Sequence, residues 1–196
     1  MTKKIKQKSL VERNLHFIVV AIVTLIIGAV YVNKTRASSG APQIAAAAAD
    51  AGMMAGENVM APDFALTSTD GKSIRLSDFR GKVVIVDFWA TWCGPCKAEI
   101  PDFIKLYSKY KDAGLQMIGV SVDAGGLKDV VPFMKQYGIN YPVVLATEEV
   151  VGAYGGIRGI PTTFIVDKKG YVREAFVGYR PASTFESVIS ELASEK

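Results

Sequence analysis

The chain has 196 residues, enough for one domain of ordinary size plus appended sequence. Its net charge of +4 arises wholly before Ala61, where seven Lys/Arg stand against three Asp/Glu; from Ala61 onward there are sixteen of each. A basic nucleic-acid-binding domain is therefore excluded, and the high isoelectric point belongs to the N-terminal flank.

Residues 1–14 form a basic tail containing Lys3, Lys4, Lys6, Lys8 and Arg13. Phe17 to Val32 carries no charge, and Leu15-His16 extends that run, so 15–32 approaches the ~17–25 residues that cross a bilayer as a helix. With only Lys34 and Arg36 following closely, the charge bias places the N-terminus in the cytoplasm and the remainder outside it. The expected location is thus the cell membrane, single-pass, with the rest of the chain on the periplasmic or outer face. His16 is expected at the membrane interface. A cleaved signal peptide is the alternative, but its apolar region is usually ~7–15 residues and leads into a small-residue cleavage site. Here Asn33-Lys34-Thr35-Arg36 intervenes, which favours an uncleaved anchor.

Residues 33–60, with Ser38-Ser39-Gly40-Ala41-Pro42 and the Ala45–Ala49 run, read as a flexible linker that holds a domain off the membrane. That domain spans 61–196. Phe64–Thr67 and Ser73–Leu76 flank Asp70-Gly71 and predict a hairpin. Val83–Phe88 is almost wholly apolar, as expected of a strand covered on both faces. A helix is predicted from Cys93 to about Lys111, kinked at Pro101. Leu115–Val122 is a second buried strand, Leu127–Tyr137 a helix, Pro142–Leu145 a short strand and Glu148–Tyr154 a helical turn. Thr162–Asp167 and Tyr171–Val177 predict a hairpin around Lys168-Lys169-Gly170. Phe185–Ala193 predicts a terminal helix with Phe185, Val188, Ile189 and Leu192 on one face. Together these give an α/β layer sandwich around a mixed sheet.

The only cysteines, Cys93 and Cys96, lie at the strand-to-helix turn. Residues i and i+3 share a helix face, so their sulfurs can meet while Cys93 stays near the helix N-terminus. Free backbone N–H groups and the helix dipole favour a thiolate there, and the thiolate is what attacks a disulfide. Zinc would need two more ligands, and the single histidine is His16, so no metal or other cofactor is expected. A purely structural role is weak, because closing so short a loop restrains little chain entropy. Peroxidatic chemistry would call for Pro-x-x-x-Thr/Ser-x-x-Cys, but Val86 and Ala90 occupy those positions. Dithiol–disulfide exchange is the reading that remains.

Val86-Asp87-Phe88-Trp89-Ala90-Thr91-Trp92-Cys93-Gly94-Pro95-Cys96-Lys97 is nearly a thioredoxin active-site segment, and Gly159-Ile160-Pro161-Thr162-Thr163-Phe164 is similar to that family's cis-proline loop. From about Ala61 to Leu192 the chain resembles the thioredoxin superfamily. The N-terminal hairpin, the helix–strand insertion over Leu127–Leu145, Glu99-Ile100-Pro101 and the anchor resemble its TlpA/ResA-type branch. Those are extracytoplasmic thiol–disulfide oxidoreductases, several of which reduce apocytochrome c before haem attachment.

The resemblance implies roles. Cys93 attacks and Cys96 resolves the mixed disulfide. Gly94 and Pro95 shape the turn, and the Gly-Pro dipeptide leans towards a reductant. Asp87 is a lone acid in an apolar strand, which predicts a raised pKa, and the resemblance makes it the proton relay to Cys96. An alternating strand with one exposed polar position is the plainer reading. Glu99 would tune the thiols, or simply be an acid favoured in a first helical turn. Trp92 is either an apolar shelf for substrate or packing beside the turn. Ile160-Pro161 should be cis, with Ile160 presented to an extended substrate.

These features point to a reductant of disulfides in exported proteins, such as an apocytochrome c, supplied with electrons by a transmembrane donor. An oxidant or isomerase of exported chains, and a non-catalytic tethered peptide-binding module, remain as alternatives.

Overall fold

The computed structural model describes residues 59–195. The anchor expected over 15–32 and nearly all of the linker lie outside the described residues, and among the described residues no helix is long and apolar enough to cross a membrane.

Among the described residues eight strands and four α-helices follow in chain order: β1 (Val59–Met60), β2 (Ala65–Thr67), β3 (Ser73–Arg75), β4 (Val83–Trp89), α1 (Gly94–Tyr110), β5 (Leu115–Ser121), α2 (Leu127–Tyr137), β6 (Val143–Leu145), α3 (Glu148–Ala153), β7 (Thr162–Val166), β8 (Tyr171–Val177) and α4 (Ala182–Ser194). Six of the strands form one sheet in the order β1-β8-β7-β4-β5-β6. β4 pairs parallel with β5, and β5 with β6, whereas β7 runs antiparallel to both β4 and β8. The mixed sheet and the thioredoxin-like α/β layering agree with the sequence reading.

β4 and β5 are buried along their whole length, which is why their sequences run apolar instead of alternating. Their two faces feed separate cores. Val83, Ile85 and Trp89 join Ile100 and Phe103 of α1 with Phe185 and Ile189 of α4. Val84, Val86 and Phe88 face the other way, among Phe64, Leu76, Val150, Tyr154 and Phe164.

Two boundaries differ from expectation. Val59–Met60, placed in the linker by composition, forms β1 and pairs with Val172 and Tyr171 of β8. Two residues carry no period to detect. α4 begins at Ala182 instead of Phe185, because Pro181 supplies a helix start that the apolar stripe does not mark. Pro101 lies inside α1 without ending it. The β2–β3 hairpin forms as predicted, with Gly71 at φ +83° in its turn. Ser68, at its tip, bridges Val144 of β6.

Candidate active site

β4 ends against the start of α1, and the short connection between them delivers the cysteines. Cys93 is the residue that caps α1; its backbone is extended, and its Sγ accepts a hydrogen bond from Cys96 N at 3.2 Å. Pro95 occupies the first turn, where its missing N–H costs nothing. Cys93 and Cys96 are joined as a disulfide with Cα atoms 5.3 Å apart. Cys93 retains 5% exposure and Cys96 none, so an incoming disulfide reaches Cys93 first.

Opposite the sulfurs, the Ile160-Pro161 bond is cis, and the Ile160 carbonyl oxygen lies 3.7 Å from Cys93 Sγ. Gly178 N–H donates to the Pro161 carbonyl at 2.7 Å, tying that loop to the chain that enters α4. Trp92 is 67% exposed. Packing beside the turn does not account for such a ring.

Asp87 lies on β4, on the α1 face, and is 2% exposed, so the alternative of an exposed polar position is overturned. The register sets it beside Thr163 on β7 and Gly119 on β5. Thr163 Oγ1 donates to Asp87 Oδ1 at 3.1 Å. Burial pushes the Asp87 carboxyl well up; the Glu99 charge adds to that, and the Thr163 bond opposes it.

Glu99 is 1% exposed, one turn beyond Cys96 on α1. Its Oε1 accepts from Arg180 N–H at 2.8 Å, while Oε2 is buried without a partner. Burial raises this carboxyl to about 7, against the pull of the Arg180 backbone bond and guanidinium. The reading of Glu99 as an ordinary surface acid of the first turn does not fit that burial.

Tyr141, Thr163 and the Arg180 amide were not singled out from the sequence. The Tyr141 hydroxyl is buried without a partner, and burial together with the fields of Asp87 and Glu99 raises its pKa far above that of an ordinary tyrosine. A Cβ on Gly119 would lie 2.8 Å from Trp89 Nε1 and 3.3 Å from Tyr141 Cε2, so only glycine leaves room for both rings. The lone acid in an apolar strand was a readable signal. The groups around it come together only through sheet register. Among the described residues no group of three His, Cys, Asp or Glu side chains is placed to hold a metal ion.

The arrangement is an accessible sulfur at a helix N-terminus, a buried sulfur behind it, and two neutral-leaning acids beneath. It can pass an electron pair between disulfides and hold the accompanying proton.

Comparison with known proteins agrees with this chemistry. Residues 58–175 match the AhpC/TSA family. Thiol-disulfide oxidoreductase ResA of Bacillus thuringiensis (strain Al Hakam) is 37% identical over 133 residues, covering 67% of this chain and 76% of that protein. The protein of the same name from Bacillus subtilis (strain 168) is 43% identical over 119 residues, covering 60% of this chain and 65% of that one. Among solved structures, a thiol:disulfide interchange protein of the thioredoxin family from Chlorobium tepidum TLS superposes with a TM-score of 0.66 at 36% identity, covering 70% of this chain and 98% of that one.

Proposed function

The chain belongs to the AhpC/TSA family and is a thiol–disulfide oxidoreductase of thioredoxin fold, and from that premise we propose that it works as a membrane-tethered reductant of disulfides in exported proteins, an apocytochrome c Cys-x-x-Cys-His disulfide being the favoured substrate. In the reduced protein the Cys93 thiolate attacks one substrate sulfur, forming a mixed disulfide and releasing the other substrate sulfur as a thiolate that takes up a proton. Cys96 then gives its proton to the Asp87 carboxylate, whose burial raises its hold on that proton, and attacks Cys93 Sγ. The second substrate sulfur leaves, and the Cys93–Cys96 disulfide holds the oxidised state. A transmembrane dithiol donor returns two electrons and two protons. Trp92 and the Ile160-Pro161 loop flank the sulfur that the substrate reaches.

The observation that carries the direction is the buried acid pair behind the sulfurs. The burial that holds Asp87 and Glu99 towards their neutral forms equally disfavours a thiolate in that pocket, so the reduced pair gains no stability from ionisation, as a reductant requires. One observation favours the opposite direction: the Cys96 N–H on Cys93 Sγ stabilises the Cys93 thiolate, and with it the reduced form, as an oxidant requires. The reduction potential decides between them. A potential well below that of the glutathione pool, with thiols present at steady state in cells, is the expected result. A strongly oxidising potential with Cys93–Cys96 permanently oxidised overturns the reading. The substrate itself is identified by trapping, on Cys93 of a Cys96→Ala variant, the protein that stays covalently bound.

A further inference from the structure

Besides Asp87 and Glu99, a further buried carboxylate stands at the cysteine turn. Asp123, just past the end of β5, is 8% exposed. Its Oδ1 accepts from Thr91 N–H at 3.1 Å and from Thr91 Oγ1 at 2.6 Å. Its Oδ2 accepts from Thr91 N–H at 3.0 Å and from Ser121 Oγ at 2.7 Å. Ser121 Oγ in turn accepts from Asp123 N–H at 3.1 Å, which fixes the carboxylate on its own strand. Among the described residues no Lys or Arg pairs with it. The charge is therefore compensated by hydroxyl and amide donors, and Thr91 supplies most of them.

Thr91 lies two residues before Cys93, in the middle of a turn closed at both ends. Val122 N–H donates to Trp89 O at 2.9 Å before it, and Cys93 N–H donates to Ala90 O at 3.2 Å after it. Drawing Thr91 inward onto Asp123 leaves Trp92 turned outward and sets the angle at which Cys93 enters α1. A buried carboxylate is held in place by its donors because losing them strands the charge. The same bonds then hold the turn against movement when substrate approaches.

We propose that Asp123 is a positioning residue for thiol–disulfide exchange, acting through Thr91 to hold the Ala90–Cys93 turn so that the Cys93 sulfur and the Trp92 ring are presented together. This rests on Cys93 being the attacking sulfur, whatever the substrate and whichever the net direction. The test uses the purified, reduced full-length chain and the rate at which Cys93 reacts with a small aromatic disulfide, with the modified residue mapped by mass spectrometry. Label on Cys93 in the unaltered protein is the expected premise; label on Cys96 alone would sink the proposed function together with this role. Given that premise, Asp123→Ala slows the reaction about tenfold, in line with the sensitivity of exchange to small displacements of a reacting atom. Asp123→Asn, which keeps one acceptor oxygen towards Thr91, recovers part of the rate. Thr91→Val, which keeps the N–H and loses the hydroxyl, slows it about twofold to threefold. If Asp123→Ala lowers the melting temperature and leaves the rate unchanged, the carboxylate only supports the fold and the proposal fails. If that variant does not fold, Thr91→Val decides, and an unaltered rate there also overturns it.

Discussion

Two tyrosines are buried against opposite faces of the same sheet, and their hydroxyls fare differently. Tyr154 packs among Phe64, Phe88 and Phe164, and its hydroxyl donates to the Pro62 carbonyl at 2.9 Å. Tyr141, on the α1 face, has no partner for its hydroxyl and lies in the fields of Asp87 and Glu99. Other polar side chains on the Tyr154 face find carbonyls too: Gln116 donates to Met117 O and Thr162 to Gly159 O. Among the described residues, the α1 face leaves Trp89 Nε1, Glu99 Oε2 and Tyr141 OH without partners. One face is built for cohesion. The other accepts a loss of stability to keep two buried acids with raised pKa values on the side that carries the cysteines.

Breaking the cohesive face should have the largest effect. Phe88 is fully buried against Tyr154 and Phe164, and Phe88→Ala is expected to lower unfolding free energy by about 3–5 kcal/mol, with the reduction potential of the surviving folded protein unchanged. Denaturant titration alongside a redox titration checks both halves.

Glu99→Gln should do the reverse and stabilise the protein. The native carboxyl protonates near pH 7 and the unfolded one near 4.5, so between those values the native state binds the extra proton. Stability therefore falls as pH rises through that window and stays reduced above it. Glutamine keeps an oxygen for the Arg180 N–H and carries no charge. Its gain should be on the order of 3 kcal/mol at pH 8 and close to nothing at pH 4. Melting curves at the two pH values would expose an error in either the sign or the window.

Asp87→Asn is expected to slow resolution of the mixed disulfide by roughly 10²-fold, the usual scale for losing a proton-transfer group, without loss of stability at pH 8. Single-turnover kinetics separates that step from the initial attack. The smallest contrast is the most direct. Tyr154→Phe should cost about 1 kcal/mol, whereas Tyr141→Phe, which gives up no bond, should be neutral or slightly stabilising. Equal losses at the two positions would erase the distinction between the faces.

Much of this architecture is legible in the sequence because its strands are long and fully buried. Val83–Trp89 and Leu115–Ser121 announce themselves as apolar runs, and the strand-to-helix step at Cys93 follows from Pro95 and the helical stretch behind it. Glu99 stands out only through the family resemblance, whereas Cys93, Cys96 and Asp87 are each visible as a residue type out of keeping with its neighbours. The contacts that give the acids their character are not. Thr163 meets Asp87 across 76 residues through strand register, and the Arg180 amide of the β8–α4 connection meets Glu99 of α1 across 81, and no local pattern encodes either meeting. Tyr141 reads as one more core aromatic until the bare Cα of Gly119 shows where its ring and the Trp89 indole both fit. The Leu76–Phe79 3₁₀ turn and β1 escape detection for a simpler reason, being shorter than any periodicity.

The brief strand β1 and the tip of the β2–β3 hairpin have a joint consequence for self-association. The outermost long strand on one side of the sheet is β8, and Val59, Met60 and Ala61 bond along its beginning and the turn before it. On the opposite side β6 is outermost, and there Ser68 bridges Val144 while Thr69 N–H donates to Val143 O at 2.9 Å. One stretch of chain, 59–69, thus occupies hydrogen-bonding positions on both rims where a second molecule would otherwise add a strand. Past Val172, the partner of Val59, β8 continues with Arg173 and Glu174, charges that discourage such pairing. Val59 and Met60, which composition marks as the end of a tether, thereby help keep neighbouring copies from zipping together.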